Sequence, residues 1–166
     1  MIRLIDIYEC IMQDPYSHDG VLATHKVLYD LLLERPREAN ISHGDMPSIE
    51  GHVLFVNSKP YECWYLIQDW PMTYEEAVFD KKVPEWTGTI YLTHKREIGI
   101  FVFKKHQRKG IATGAIEILL EKHPGDYLAN IAPTNKASIK FFDGLGAKLI
   151  QHTYAVEDKN DHSGRD

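Results

Sequence analysis

Residues 100–112 read IFVFKKHQRKGIA, an apolar run that passes through a basic turn into small residues. The branched and aromatic side chains predict a strand, and Gly110 and Ala112 fall where a helix then begins. The first N–H groups of a helix have no partner within it, and small side chains leave them accessible. These donors, the positive end of the helix dipole, and the charges of Arg108 and Lys109 together predict a phosphate-binding site.

Two common phosphate-binding patterns do not occur at this turn. It matches neither GxxxxGK[ST] nor GxGxxG. Small residues at the start of a helix also allow close packing, so the pattern alone leaves that alternative open.

Hydrophobic spacing predicts the elements on either side of the turn. Residues 69–85 fit no simple pattern and form either a packed excursion or a functional loop. The sum is an α/β chain (α+β by some schemes) with one central sheet. The strands are expected at 2–7, 61–68, 87–93, 97–103, 127–131 and 147–156. The helices are expected at 17–34, 48–56, 108–123 and 135–145, with Ser48 as a cap.

Length and composition indicate one soluble domain. The chain has 166 residues, and the domain is expected to span 1–156. Residues 157–166 have four acids, two bases and no apolar side chain, which predicts a disordered tail. No apolar run is long enough for a membrane helix, and the N-terminus lacks the features of a signal peptide. A cytoplasmic protein is therefore expected.

The charge is distributed unevenly. The net charge of −5 argues against nucleic-acid binding. Residues 94–109 nevertheless contain six bases and one acid, which indicates either a site for a specific anion or a solvated charge cluster. Cys10 and Cys63 form no CxxC pair, and the nine histidines form no metal-binding motif, so no metal is expected.

Two motifs resemble one enzyme family. Gln107-x-x-Gly110-x-Ala112 is similar to the Q/R-x-x-G-x-G/A signature of the GNAT family of N-acetyltransferases. Residues 135–147 read NKASIKFFDGLGA and resemble the family's N-x-x-A/S-x-x-L-Y-x-x-L-G-F segment. The resemblance covers residues 87–154 well, whereas the first half of the chain matches only in its order of elements.

The resemblance implies an acyl-CoA N-acyltransferase fold. In it, a mixed, mostly antiparallel sheet splays apart between its fourth and fifth strands. The pantetheine arm of acetyl-CoA would pair with the backbone of the fourth strand, and the diphosphate would lie over the amides of residues 108–113. Asn135 is also typical of a plain helix cap. The cofactor-binding residues implied are Phe101, Val102, Phe103, Gln107, Arg108, Lys109, Gly110, Ile111, Ala112, Thr113, Asn130 and Asn135.

The reaction implied is acetyl transfer to a primary amine of a small molecule or a protein, by direct attack in a ternary complex. Glu97 would remove the amine proton, and the N–H of Val102 would stabilise the oxyanion. Glu97 is alternatively a solvated turn residue paired with Arg96 or Lys95. The family often has a tyrosine where this chain has Phe142, so the general acid is left open between water, Tyr127 and Tyr154.

Two alternatives to this interpretation remain open. The chain is either a relative that uses another acyl group or an alcohol acceptor, or a CoA-binding module without activity. The acceptor would bind against the first helices and residues 69–86, whose acids and aromatics suit a cation or form a plain acidic loop. Exposed strand edges also suggest a homodimer.

Overall fold

A computed structural model describes residues 1–14, 21–36, 46–70 and 85–154. Its centre is an antiparallel sheet of four strands in the order β1-β2-β3-β4. The strands are β1 (Ile2–Asp6), β2 (Cys63–Asp69), β3 (Glu85–Leu92) and β4 (Ile98–Val102). The helices are α1 (Ile7–Gln13), α2 (Ala23–Glu34), α3 (Ile49–Asn57), α4 (Ile111–Lys122) and α5 (Lys136–Gly144), with a 3₁₀ turn over Lys104–His106.

Each face of the sheet is covered by helices. On one face, α4 contributes Ala115 and Leu119 to a core with Ile67 and Ile90, and α5 adds Phe142 at its margin. On the other face, α1, α2 and α3 pack around Trp64 and Leu66. Adjacent residues of β2 therefore enter different cores, as the alternation of side chains along a strand requires.

Local capping sets where two helices begin. The carboxylate of Asp6 accepts hydrogen bonds from the amides of Tyr8 and Glu9, which ends β1 and begins α1. The strand predicted over 2–7 is therefore one residue shorter than expected, and the helix that follows it was not predicted. The cap predicted at Ser48 is confirmed, because its hydroxyl accepts from the amide of Gly51 at 3.1 Å.

Two predicted strands do not form. Residues 127–131 make only a single parallel bridge, in which Leu128 lies opposite Glu97. Residues 147–154 form no strand, and Leu149 and Ile150 are about three-quarters exposed. Their apolar pattern suits a strand, but apart from this bridge no described backbone pairs with either segment, and a strand needs such a partner.

Several predictions concern segments that lie partly or wholly outside the described residues. The predicted helix over 17–34 begins at Ala23 in the described residues, while 17–20 lie outside them. Residues 71–84 and the predicted tail also lie outside the described residues, and residues 69 and 85 belong to strands. None of the described helices is long and apolar enough to cross a membrane.

Candidate active site

Among the described residues, one edge of β4 has no pairing partner along most of its length. The bridge at Leu128 joins the first residues of β4 to the following chain. The Ile98 amide donates to the Leu128 carbonyl at 2.8 Å, and the Leu128 amide donates to the Arg96 carbonyl at 2.9 Å. Beyond this bridge, no described segment pairs with the outer edge of β4. The chain therefore separates from β4 after one point of contact, which leaves a cleft.

Strand register decides which main-chain groups face this cleft. In an antiparallel pair, residues whose N–H and C=O point to the partner alternate with residues whose groups point away. The Phe103 amide donates to the Thr87 carbonyl at 2.9 Å, so Phe103 and, two residues earlier, Phe101 use their main chain on β3. The groups of Ile100 and Val102 point to the open edge, in phase with Ile98.

This register corrects one prediction. Phe101 and Phe103 cannot offer main-chain groups to an added extended chain, whereas Ile100 and Val102 can. Sequence reasoning missed Ile100, although the hairpin turn at residues 94–95 contains the signal, because it fixes the phase of the alternation along β4.

Gln107 ties the turn after β4 to the end of the strand. Its side-chain amide donates to the Val102 carbonyl at 3.0 Å. The outward carbonyl of Val102 is thus occupied, and its N–H remains directed at the cleft. The Gln107 side chain therefore holds the end of the strand, and its predicted contact with a cofactor stays a prediction.

The turn into α4 presents a row of unused N–H donors. Arg108 and Gly110 have left-handed backbone conformations, with φ of 63° and 76°. Gly110 is the N-cap of α4, and no side chain caps this end. In the part of the chain that the structure describes, the amides of residues 108–113 have no hydrogen-bond partner. Amides grouped at a helix N-terminus suit the oxygens of a phosphate.

The side chain of Gly110 would lie in open space. A Cβ built at this position meets no atom within 4 Å. The glycine is therefore not required by packing, which was the alternative for small residues at this point. Its backbone conformation and the space above it both suit a ligand that approaches the main chain closely.

Folding neutralises part of the basic cluster. A guanidinium nitrogen of Arg96 lies 3.6 Å from the Glu62 carboxylate, and another donates to the Pro124 carbonyl at 2.9 Å. The guanidinium also lies 4.5 Å from the centre of the Tyr127 ring. Arg96 therefore holds the start of β4 against the chain after α4, and is not the partner of Glu97.

Lys105 is occupied in a similar way. Its ammonium contacts the Glu85 carboxylate, and His106 lies beside the same group. The hydrogen bond from Lys105 and the neighbouring His106 lower the pKa of Glu85. Within the described residues, Arg108 and Lys109 form no ion pair, so they carry the charge available to an anion at the turn.

Glu97 stands at the opposite end of β4 with both carboxylate oxygens hydrogen-bonded. The Asn130 amide donates to Oε1 at 3.0 Å, and the Thr93 hydroxyl lies 3.3 Å from Oε2. Glu97 is half-buried. The structure thus brings together two residues that the sequence assigned to different roles, Glu97 and Asn130, and adds Thr93, which sequence reasoning missed.

Glu97 and Val102 lie too far apart to serve the amine nitrogen and the thioester oxygen of one reacting pair. They are five residues apart in sequence, which along an extended strand amounts to about 16 Å. A base and an oxyanion donor must both lie within hydrogen-bond reach of the reacting groups. Val102 stands instead at the end of the cleft nearest to the α4 amides.

The remaining predicted residues take structural positions. The Asn135 side chain accepts from the Ser138 amide at 3.1 Å and caps α5, as one of the two interpretations expected. Phe142 is half-buried with its ring edge-on to Phe141, and it offers no proton. Tyr154 is 83% exposed, whereas the Tyr127 hydroxyl is buried and finds no partner among the described residues.

The described residues contain no group of three or more His, Cys, Asp or Glu side chains that could hold a metal ion. The groups that the cleft offers to a ligand are its main-chain amides, the basic side chains of Arg108 and Lys109, and the carboxylate of Glu97.

The fold is similar to that of three solved structures, two of which are described as acetyltransferases. A domain from Methanocaldococcus jannaschii superimposes with a TM-score of 0.60 at 16% identity, covering 92% of this chain and 90% of that chain. The yncA protein of Salmonella typhimurium, assigned as an acetyltransferase and solved with its cofactor acetyl-CoA, gives 0.52 at 16% identity, with coverages of 88% and 78%. A ribosomal-protein-alanine N-acetyltransferase from Brucella melitensis gives 0.50 at 15% identity, with coverages of 95% and 99%. These likenesses confirm the expected fold class.

The sequence itself matches a family model. A comparison with curated protein sequences finds no significant relative. The model of the acetyltransferase (GNAT) family matches residues 28–147, from within α2 to just beyond α5, which is most of the chain. The match includes β4, the amides before α4 and the Asn135 cap, so the chain belongs to the GNAT family of acetyltransferases.

Proposed function

We propose that this protein transfers an acetyl group from acetyl-CoA to a primary amine of a small molecule or a protein. The observation that carries the proposal is the cleft beside β4. It offers outward main-chain groups at Ile100 and Val102 and unpaired amides at residues 108–113. An extended chain with two amides and a diphosphate at its end matches both sets of groups.

Different residues bind the two ends of the cosubstrate, at opposite ends of the cleft. The amides of residues 108–113 bind the diphosphate, helped by Arg108 and Lys109. The outward N–H of Val102 and the outward carbonyl of Ile100 bind the amides of the arm as an added strand would. The cosubstrate supplies the acetyl thioester, which then lies toward the Glu97 end of β4.

Glu97 accepts the proton that the amine must lose before it attacks. An alkylammonium has no lone pair, so a carboxylate within reach, directly or through one water, is needed. The N–H of Ile100 is the outward donor nearer to Glu97, and we assign to it the charge that develops on the thioester oxygen. This assignment replaces the Val102 N–H, which faces the part of the arm next to the diphosphate.

The test combines coenzyme A titration with an amine-panel assay that follows release of the free thiol. We expect binding by the wild-type protein and thiol release with at least one amine. In Glu97→Gln we expect kcat to fall about a hundredfold or more, because a general base contributes roughly that factor, with coenzyme A affinity unchanged. Glu62→Gln is the matched control, since it removes a carboxylate at the same end without touching the base.

The assay also separates the alternatives. Hydroxyl acceptors and other acyl-CoA thioesters in the panel test the choice of acceptor and acyl group. A CoA-binding module without activity is favoured by one observation, the absence of a hydroxyl at Phe142, and it would bind coenzyme A but release no thiol. Failure to bind coenzyme A would overturn the proposed function as a whole.

A further inference from the structure

The carboxylate of Glu97 is held from both sides by uncharged donors. The Asn130 amide donates to Oε1 at 3.0 Å. The Thr93 hydroxyl lies 3.3 Å from Oε2 while its oxygen accepts from the amides of Glu97 and Lys95, at 3.1 and 3.2 Å. Thr93 thus stabilises the turn before β4 and also holds the side chain of Glu97, which follows that turn.

Asn130 reaches Glu97 from the other side of the cleft. It lies two residues after Leu128, whose bridge to Glu97 is where β4 and the following chain meet. The side-chain contact between Asn130 and Glu97 continues this link on the open side. The bridge therefore fixes Asn130 relative to the carboxylate, which defines the orientation of Glu97.

We infer that Asn130 is a positioning residue for Glu97, with Thr93 as its counterpart on the second oxygen. The inference rests on the proposed function, because it assigns to Glu97 the role of base. Each carboxylate oxygen has two acceptor sites, so one hydrogen bond to each oxygen leaves a site free for the amine proton. Asn130 thus acts through Glu97, whereas the sequence had placed it on the cofactor.

The first variants change the donor at position 130. Asn130→Ala should lower kcat about tenfold, since a hydrogen bond to a charged group is lost, and leave KM for acetyl-CoA unchanged. Asn130→Asp places a second carboxylate against the first, and like charges oppose ionisation. The pH below which kcat/KM declines should therefore rise by about one pH unit or more.

Two comparisons separate positioning from a structural role. Thr93→Val removes the hydroxyl and should lower kcat. Thr93→Ser keeps the hydroxyl and should retain the kcat that Thr93→Val loses. Asn135→Ala removes the cap of α5 and is expected to lower stability, but not to change the pH below which kcat/KM declines.

The outcomes distinguish this inference from the proposed function. An unchanged pH profile in Asn130→Asp, in an enzyme that Glu97→Gln inactivates, would overturn the inference alone. A rise in KM for acetyl-CoA with unchanged kcat in Asn130→Ala would also overturn it and return Asn130 to the cofactor. Full activity in Glu97→Gln would remove the base itself, and with it the part of the proposed function on which the inference rests.

Discussion

Replacing Gly110 tests the diphosphate site with a control inside the same chain. Gly110 and Gly146 have nearly the same backbone conformation, with φ of 76° and 81°, and a Cβ at either position meets no atom within 4 Å. An L residue in the left-handed region costs about 1 kcal/mol or slightly more. Gly110→Ala and Gly146→Ala should therefore destabilise the fold equally, which for a chain of this size lowers Tm by about 2–4 °C.

The two variants should differ only in binding. The methyl group at position 110 is added within the run of unpaired amides at residues 108–113, whereas Gly146 follows α5 and donates its amide to the Asp143 carbonyl at 2.9 Å. Loss of one charge-assisted hydrogen bond to the diphosphate costs about 2 kcal/mol, or about thirtyfold in Kd. We would measure Kd for coenzyme A by calorimetry and Tm by circular dichroism. Equal Kd values in the two variants, at equal Tm, would refute the assignment of these amides to the diphosphate.

Two further predictions concern the face of the sheet that α1, α2 and α3 cover. His52 is 5% exposed, and burial followed by the neighbouring charge of His25 lowers its pKa to about 4. As the pH falls from about 6.5 to about 4, His52 binds a proton in the unfolded chain but not in the native protein. The free energy of unfolding should therefore decline across that window by roughly 2 kcal/mol. Urea unfolding at pH 7 and 4.5 should show a smaller decline in His52→Phe; an identical decline would contradict this account. Gly99→Ala places a Cβ into the ring of Tyr91, and urea unfolding should show a loss of about 1–3 kcal/mol. Tyr91→Ala should cost less stability in that background than in the wild-type chain, and strict additivity of the two substitutions would exclude the collision.

The sequence was sufficient to predict a structural feature wherever a local signal determined that feature by itself. Ser48 and Asn135 cap helices as their types and positions indicate, and the turn after β4 leads into α4 near the expected residue. The start of α1 had such a signal too, because Asp6 and Glu9 have the spacing of a capping box. The alternating pattern of β1 runs directly into it and conceals the boundary.

Contacts between distant residues were beyond the sequence. The basic cluster around β4 is a feature of composition, but its available charge depends on Glu62 and Glu85, which lie far from their partners along the chain. Residues 127–131 and 147–154 show the same dependence. Their pattern is compatible with a strand, and only the position of neighbouring backbone decides whether one forms.

The candidate site was predicted in its parts but not in its register. Motif positions pointed to Phe101 and Phe103, while the hydrogen bond from the Phe103 amide to Thr87 shows that their main chain serves β3. A shift of one residue exchanges inward and outward groups along a strand, so residue types alone cannot settle which amides reach the cleft. The contact between Asn130 and Glu97 likewise depends on the bridge at Leu128.

The unpaired side of β4 also bears on how the protein behaves without ligand. Peptide groups that can receive a pantetheine arm can equally receive an extended segment of another polypeptide, which is the hazard of any bare sheet edge. Under the proposed function, filling the cleft with coenzyme A would compete directly with intermolecular strand addition. Concentrated ligand-free preparations should aggregate more readily than saturated ones, and shelf life in solution becomes a property of cleft occupancy as much as of core packing.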